Sequence, residues 1–247
     1  MEAHLNAEHF VFADLEEMSH MAATIFSCVA RTAVATSGRF TVALSGGSTP
    51  RRLYVLLGTE YRGQVPWDRV DFFWVDERCV PPDDKESNYG MARGLMLSNL
   101  AVPGSHIHMI ECGDDPALAA LRYEAEVRKC LGQGEVPSFD LVVLGLGQDG
   151  HTASLFPGAE SLHEKERLAL PVYGGDPEGW RVTLTLPVLN NARNVLFLVS
   201  GGGKAEIVRS ILEDPAARFS YPAGLVSPLQ GNCTWLLDAA AAKGLSR

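Results

Sequence analysis

Four short apolar runs, each stopping at glycines or charges, constrain this chain more than any other feature. They are FTVAL at 40–44, VDFFWV at 70–75, DLVVLGLG at 140–147 and NVLFLV at 194–199. Each is rich in β-branched or aromatic side chains and is too short for an independent helix. DLVVLGLG shows none of the polar alternation of a strand with one wet face, so it reads as a strand covered on both sides. The intervening segments have helical periodicity. In residues 15–35 the apolar positions Leu15, Met18, Ala22, Ile25, Phe26 and Val29 recur at roughly i, i+3, i+4 and i+7, with Asp14 placed as an N-cap. Residues 51–57 continue as a helix behind Pro50, which a first helical turn tolerates. Residues 88–97, 116–131 and 204–212 read as further helices. A short strand at 106–110, RVTLTL at 181–186 and CTWLLD at 233–238 complete the set. Strands alternating with helices predict an α/β fold: a mainly parallel sheet with helices on both faces. The Pro/Gly segment 171–179 reads as a surface loop, and nothing resembles a linker, so a single domain over residues 1–247 is expected.

Composition narrows the function. The chain has 30 acidic against 21 basic residues and a net charge of −9, which argues against a general nucleic-acid surface. No apolar stretch approaches the ~18 residues of a membrane span, and the N-terminal MEAHLNAEHF does not read as a signal peptide. The five cysteines (Cys28, Cys79, Cys112, Cys130, Cys233) are scattered and form no C-x-x-C pair. A disulfide framework and a structural zinc are therefore not expected, and a cytoplasmic location is.

In parallel α/β sheets, ligands bind beyond the carboxyl ends of the strands, so the loops after the four runs should share one edge. Ser45-Gly46-Gly47-Ser48-Thr49-Pro50 combines close backbone approach, hydroxyls and a helix N-terminus, which suits a phosphate. It matches neither a Walker loop nor G-x-G-x-x-G. The same residues would also serve as a plain glycine turn capped by Thr49. Asp76-Glu77-Arg78 follows the second run; Arg78 could hold a phosphate, stabilise an oxyanion or join a surface ion pair. After the third run, Asp149-Gly150-His151 offers a general base with a carboxylate to orient it, or a structural histidine. After the fourth, three glycines precede Lys204, an anion ligand or a solvated helix-start lysine. His106 and His108 lie two apart on the short strand, but with no third ligand in view they read as surface residues. The constellation points to acid/base chemistry on a small phosphorylated molecule, without a metal or redox cofactor.

The motifs S-G-G-S-T-P, D-E-R-x-V-P followed by Ser87-Asn88-Tyr89, G-x-G-x-D-G-H-T-x-S-L-F-P-G, R-V-T-L-T-x-P and G-x-G-K-A run in order from Ser45 to Ala205. Together they resemble the glucosamine-6-phosphate isomerase/6-phosphogluconolactonase family, on its lactonase side. The resemblance implies a Rossmann-like fold of the NagB/RpiA type and a sugar-phosphate lactonase domain over the whole chain. The related deaminases carry D-G-H-x-x-x-x-E, where a glutamate supports the histidine. Here that position is Phe156, which disfavours deamination and aldose–ketose isomerisation.

The implied reaction is hydrolysis of 6-phospho-D-glucono-1,5-lactone to 6-phospho-D-gluconate, the second step of the oxidative pentose phosphate pathway. His151 would be the general base, Asp149 its orienting partner, and Arg78 with backbone N–H groups the oxyanion donors. Phosphate binding would fall to Gly46, Gly47, Ser48, Thr49, Lys204 and Arg181, with the roles of Arg78 and Arg181 exchangeable. Ser48 lacks a G-x-S-x-G elbow, and a lactone is already an activated ester, so direct attack by water suffices. The expected partner is a phosphorylated sugar lactone, with neither nucleic acid nor membrane, and the chain is expected to be a monomer or small homo-oligomer.

Overall fold

The computed structural model describes residues 7–246. Among the described residues nine strands occur: β1 (Ala7–Phe12), β2 (Phe40–Leu44), β3 (Val70–Trp74), β4 (Asp76–Arg78), β5 (Leu141–Leu144), β6 (Ala169–Gly174), β7 (Gly179–Leu184), β8 (Asn194–Val199) and β9 (Asn232–Asp238). The α-helices are α1 (Leu15–Ser37), α2 (Arg51–Gly58), α3 (Asn88–Leu95), α4 (Pro116–Leu131), α5 (Leu186–Asn190), α6 (Ala205–Glu213) and α7 (Pro222–Leu225). Among the described residues no helix is long and apolar enough to cross a membrane.

Six strands form a wholly parallel sheet in the order β1-β9-β8-β5-β2-β3. The four apolar runs are β2, β3, β5 and β8, and β2 and β5 are buried at every position. Asp14 caps α1 as expected, accepting the Glu17 N–H, and Gly38 ends that helix at φ 80°. From β2 the chain passes through α2 to β3 on one side. From β5 it proceeds to β8 on the other. The order therefore reverses between β2 and β5, where a parallel sheet opens a crevice at its carboxyl edge.

A second sheet was not expected. β4, β7 and β6 form a three-stranded antiparallel sheet, so Asp76-Glu77-Arg78 is a short strand, and RVTLTL lies outside the parallel sheet. The two sheets join at Val75, whose N–H donates to Leu44 O at 2.8 Å while its carbonyl accepts from Leu184 N at 2.7 Å. The segment 171–179 is no plain loop either, because β6 runs through Pro171 to Gly174 and turns into β7 at Gly179. Proline is tolerated there because β6 is an edge strand. Residues 106–110 make a single bridge from Ile107 to Phe72, not a strand, and His108 is buried, not on the surface.

Aromatic packing holds the core. Phe197 of β8 stacks on Trp235 of β9 at 4.0 Å, and Tyr123 of α4 reaches over to Trp74, donating its hydroxyl to the carbonyl and accepting the N–H. One expectation about cysteine is corrected here. Cys79 and Cys112 are paired as a disulfide with Cα atoms 5.0 Å apart. They stand 33 residues apart in the chain, so only the approach of two loops reveals the pair.

Candidate active site

At the β2/β5 crevice lies a cleft of about 170 Å³ lined by residues 45–50, Asp76, Arg78, Asn88, residues 145–147, 151–153, Arg181 and Lys204. Each wall is set by a local sequence feature.

The first wall is the loop after β2. Gly47 has φ 89°, a conformation that favours glycine, and a side chain on Gly46 would run into the Asn88 amide. The buried Tyr54 hydroxyl donates to Ser45 O at 2.6 Å and fixes the start of the turn. Thr49 does not cap α2; Pro50 occupies the cap position and no side chain caps the helix. Among the described residues, the N–H groups of Gly46, Gly47, Ser48 and Thr49 meet no protein acceptor. Unpaired donors beside a helix start are what an anion needs.

The second wall shows why a charged triplet follows an apolar strand. Glu77 is buried and does not face the cleft as a free charge. Its carboxylate accepts N–H bonds from Arg78, Asn88 and Tyr89, each at 2.8 Å, and the Ser87 hydroxyl at 3.1 Å. It therefore ties β4 to the first turn of α3, although burial drives its pKa above the usual carboxylate range. Asp76 accepts from the Ser154 hydroxyl at 2.6 Å, and its carbonyl takes the Asn88 amide at 2.9 Å. Sequence reasoning did not single out Asp76 and Asn88 as cleft residues, though D-E-R and S-N-Y contained them.

Arg78 and Arg181 are register partners across β4 and β7. Arg78 donates to Glu86 O at 2.6 Å and lies 3.6 Å from the Glu86 carboxylate. Arg181 is buried and, among the described residues, donates only to the carbonyls of Gly174 and Pro177, both at 3.1 Å. Burial, then the neighbouring Arg78 charge, lowers its pKa. A guanidinium nonetheless stays charged near neutral pH, so the two like charges make a cationic wall.

The third wall holds the histidine. His151 Nδ1 lies 2.5 Å from Asp149 Oδ1, and the same oxygen accepts the His151 backbone N–H at 3.1 Å. Burial raises the Asp149 pKa, but the bonds and charge of His151 outweigh it and hold the carboxyl below its usual range. Two glycines permit the turn. A side chain on Gly147 would strike the imidazole, and one on Gly150, at φ 82°, would strike Tyr221. Ala153 also takes a positive φ, 50°, an uncommon conformation for a residue with a Cβ. Phe156 stands between His151 and Arg181, its ring 5.1 Å from the imidazole and 6.0 Å from the guanidinium.

Lys204 reaches the cleft from the turn after β8. Asp238 pins that turn through the Gly201 N–H, at 3.0 Å, and the Ser200 hydroxyl. Burial lowers the Lys204 pKa and the Asp238 charge offsets this only in part. The geometry thus gathers three cations and a row of free amides around one imidazole. Of the residues expected at the site, Asp149 alone is absent from the lining; it stands behind His151.

The model of the family "Glucosamine-6-phosphate isomerases/6-phosphogluconolactonase" matches residues 13–235. A 6-phosphogluconolactonase of Nostoc sp. is 41% identical over 218 residues, covering 87% of this chain and 88% of its own. The rat 6-phosphogluconolactonase is 44% identical over 218 residues, covering 85% and 82%. Among solved structures, 6-phosphogluconolactonase from Trypanosoma brucei superposes with a TM-score of 0.88 at 30% identity, covering 98% of this chain and 100% of its own.

Proposed function

The chain belongs to the family of glucosamine-6-phosphate isomerases and 6-phosphogluconolactonases, and from that membership we propose that it hydrolyses 6-phospho-D-glucono-1,5-lactone to 6-phospho-D-gluconate. The observation that carries the mechanism is the His151–Asp149 pair at the mouth of a cationic cleft.

Asp149 occupies Nδ1, which leaves Nε2 as the position that takes a proton. Water attacks the lactone carbonyl while His151 removes its proton, and the ionised Asp149 stabilises the imidazolium that forms. The tetrahedral intermediate carries a negative oxygen. Arg78 and Arg181 line the cleft beside the histidine loop, so either guanidinium can face that oxygen while the other assists the phosphate. The amides of residues 46–49, with Lys204, form the phosphate cradle. When the intermediate collapses, the imidazolium returns its proton to the ring oxygen, which leaves as the C5 hydroxyl of the open-chain acid. Water adds across the ester bond, so no redox partner enters.

Phe156 supports hydrolysis over ring-opening deamination. An apolar ring packs against His151 where the deaminases carry a carboxylate, so among the described residues the imidazole has only Asp149 as an acidic partner. The direct test follows lactone loss above its spontaneous rate, beside ammonia release from glucosamine 6-phosphate. Accelerated hydrolysis without ammonia is expected; ammonia without accelerated hydrolysis overturns the reading.

A further inference from the structure

Away from the cleft, His108 sits in a polar cluster that the proposed reaction does not use. Its backbone N–H donates to Phe72 O at 2.8 Å, and its ring stacks on Phe73 at 4.3 Å, so the imidazole is held in place. Nε2 lies 3.3 Å from Asp71 Oδ1 of β3, and Nδ1 lies 2.9 Å from Glu126 Oε1 of α4. Cys130, one helical turn beyond Glu126 and on the same face, brings Sγ to 3.7 Å from both Nδ1 and Glu126 Oε1.

This arrangement gathers ligands for a cation. A neutral imidazole has one N–H and one lone pair, and both ring nitrogens face carboxylate oxygens. A metal ion on one nitrogen, with the N–H of the other donating to a carboxylate, satisfies both. The thiol adds a third donor from the same helix face as the carboxylate: Cys130 Sγ lies 3.7 Å from Nδ1 and 3.9 Å from Nε2. The donor atoms of His108, Glu126 and Cys130 all lie within 4.8 Å of one another. Donors bound tetrahedrally to zinc at its usual bond lengths stand about 3.3–3.6 Å apart. The observed separations of 2.9, 3.7 and 3.7 Å bracket that range.

We propose that His108, Glu126 and Cys130 form a site for one divalent ion of the zinc class, with Asp71 as the carboxylate that orients His108. In the loaded site Nδ1, a Glu126 oxygen and the Cys130 thiolate are ligands, and Nε2–H donates to Asp71, the usual outer support of a metal-bound imidazole. Binding releases the thiol proton, and the neutral imidazole takes its Nε2–H tautomer. A cleft of about 520 Å³, which His108 and Glu126 line together with Glu111 and Arg122, supplies an entry path and room for water as fourth ligand. Lys129 competes for Glu126, at 3.2 Å, and must swing away for the carboxylate to coordinate. The role is structural, since the ion would join α4 to the segment beside β3.

The test is titration of the chelator-stripped full-length protein with Co2+ and with Zn2+. One equivalent of Co2+ should bind and produce a near-ultraviolet thiolate-to-cobalt band. Cys130→Ser should abolish that band and weaken Zn2+ at least ~10-fold, with Asp71→Asn weakening it by ~10–100-fold. His151→Asn, which removes the other histidine–carboxylate pair, should leave both readouts unchanged. Circular dichroism identifies any variant that fails to fold, and Cys130→Ser, a nearly isosteric change at a half-buried position, carries the decision if Asp71→Asn does. Absence of the thiolate band, wild-type affinity in Cys130→Ser, or loss of binding in His151→Asn overturns the proposal. The cluster is then a hydrogen-bonded network that joins α4 to β3.

Discussion

At the scale of single residues, the proposed chemistry divides between His151 and Lys204. His151→Asn removes the proton acceptor without adding bulk, and kcat is expected to fall by ~10²–10⁴ while product affinity persists. Near-wild-type turnover in that variant would remove His151 from the mechanism. Lys204→Ala should raise KM and leave kcat largely intact, because a phosphate remote from the reacting carbonyl contributes uniform binding. Its titration has a definite sign. Burial lowers the Lys204 pKa, so the ammonium loses its charge at a lower pH than an exposed lysine does. Affinity for 6-phosphogluconate, measured by calorimetry between about pH 7 and about pH 10, should therefore decline before the ordinary lysine range is reached. Lys204→Arg, which stays charged across that window, should flatten the decline. An identical decline in the arginine variant would assign the titration to another group.

At the scale of elements, the site is assembled by turns whose chemistry was only partly visible in the chain. Asp14 as a cap, α4 starting at Pro116, and β2 over 40–44 follow from local signals: a capping side chain, a first-turn proline, a β-branched run. β4 and β6 escaped because each is defined by its partner. Three residues reading DER have no strand periodicity, and they become a strand only because β7 offers them an antiparallel edge. Glu77 illustrates the consequence. The charged triplet after an apolar strand pointed to Arg78 as a ligand contact, and its neighbour Glu77 is the buried brace between β4 and α3. Glu77→Gln replaces one acceptor oxygen by an NH2 group facing backbone donors, and should cost about 1–3 kcal/mol in chemical denaturation. A variant as stable as the parent would show that Glu77 does not brace the loop.

At the scale of the whole molecule, two features depend on distant segments meeting. The first is the disulfide. Cys79 follows Arg78 directly, and Cys112 lies beyond the segment that carries His108. Opening a loop of that length removes a constraint on the unfolded chain worth roughly 3–4 kcal/mol. Reductant should accordingly lower the denaturation midpoint, and peptide mapping without reduction should recover the Cys79–Cys112 link. An unchanged midpoint when fully oxidised protein is reduced would show that the pair carries no stability. The second feature is charge. A chain of net −9 nevertheless places Arg78, Arg181 and Lys204 around one cleft. Over a Debye length of about 8 Å, nearby cations and amide dipoles outweigh a diffuse surface charge, so the total says little about the ligand.

Sequence alone determined the class of fold and the identity of the chemically loaded loops. Buried parallel strands need long apolar runs, and close approach to an anion needs glycine, and both requirements are local and therefore written in order along the chain. That His151 is backed by Asp149 followed from a spacing of two residues. Tertiary structure alone decided which charges face the cleft and which are braces. Glu77 and Arg78 are adjacent in sequence, yet one is turned into a helix start and the other toward Arg181, a register partner more than a hundred residues away. It also decided the company of His108, whose neighbours Glu126 and Cys130 stand 18 and 22 residues further on. Such pairings depend on how α4 settles beside β3, and no local signal encodes a contact whose stabilisation exists only once both elements are packed.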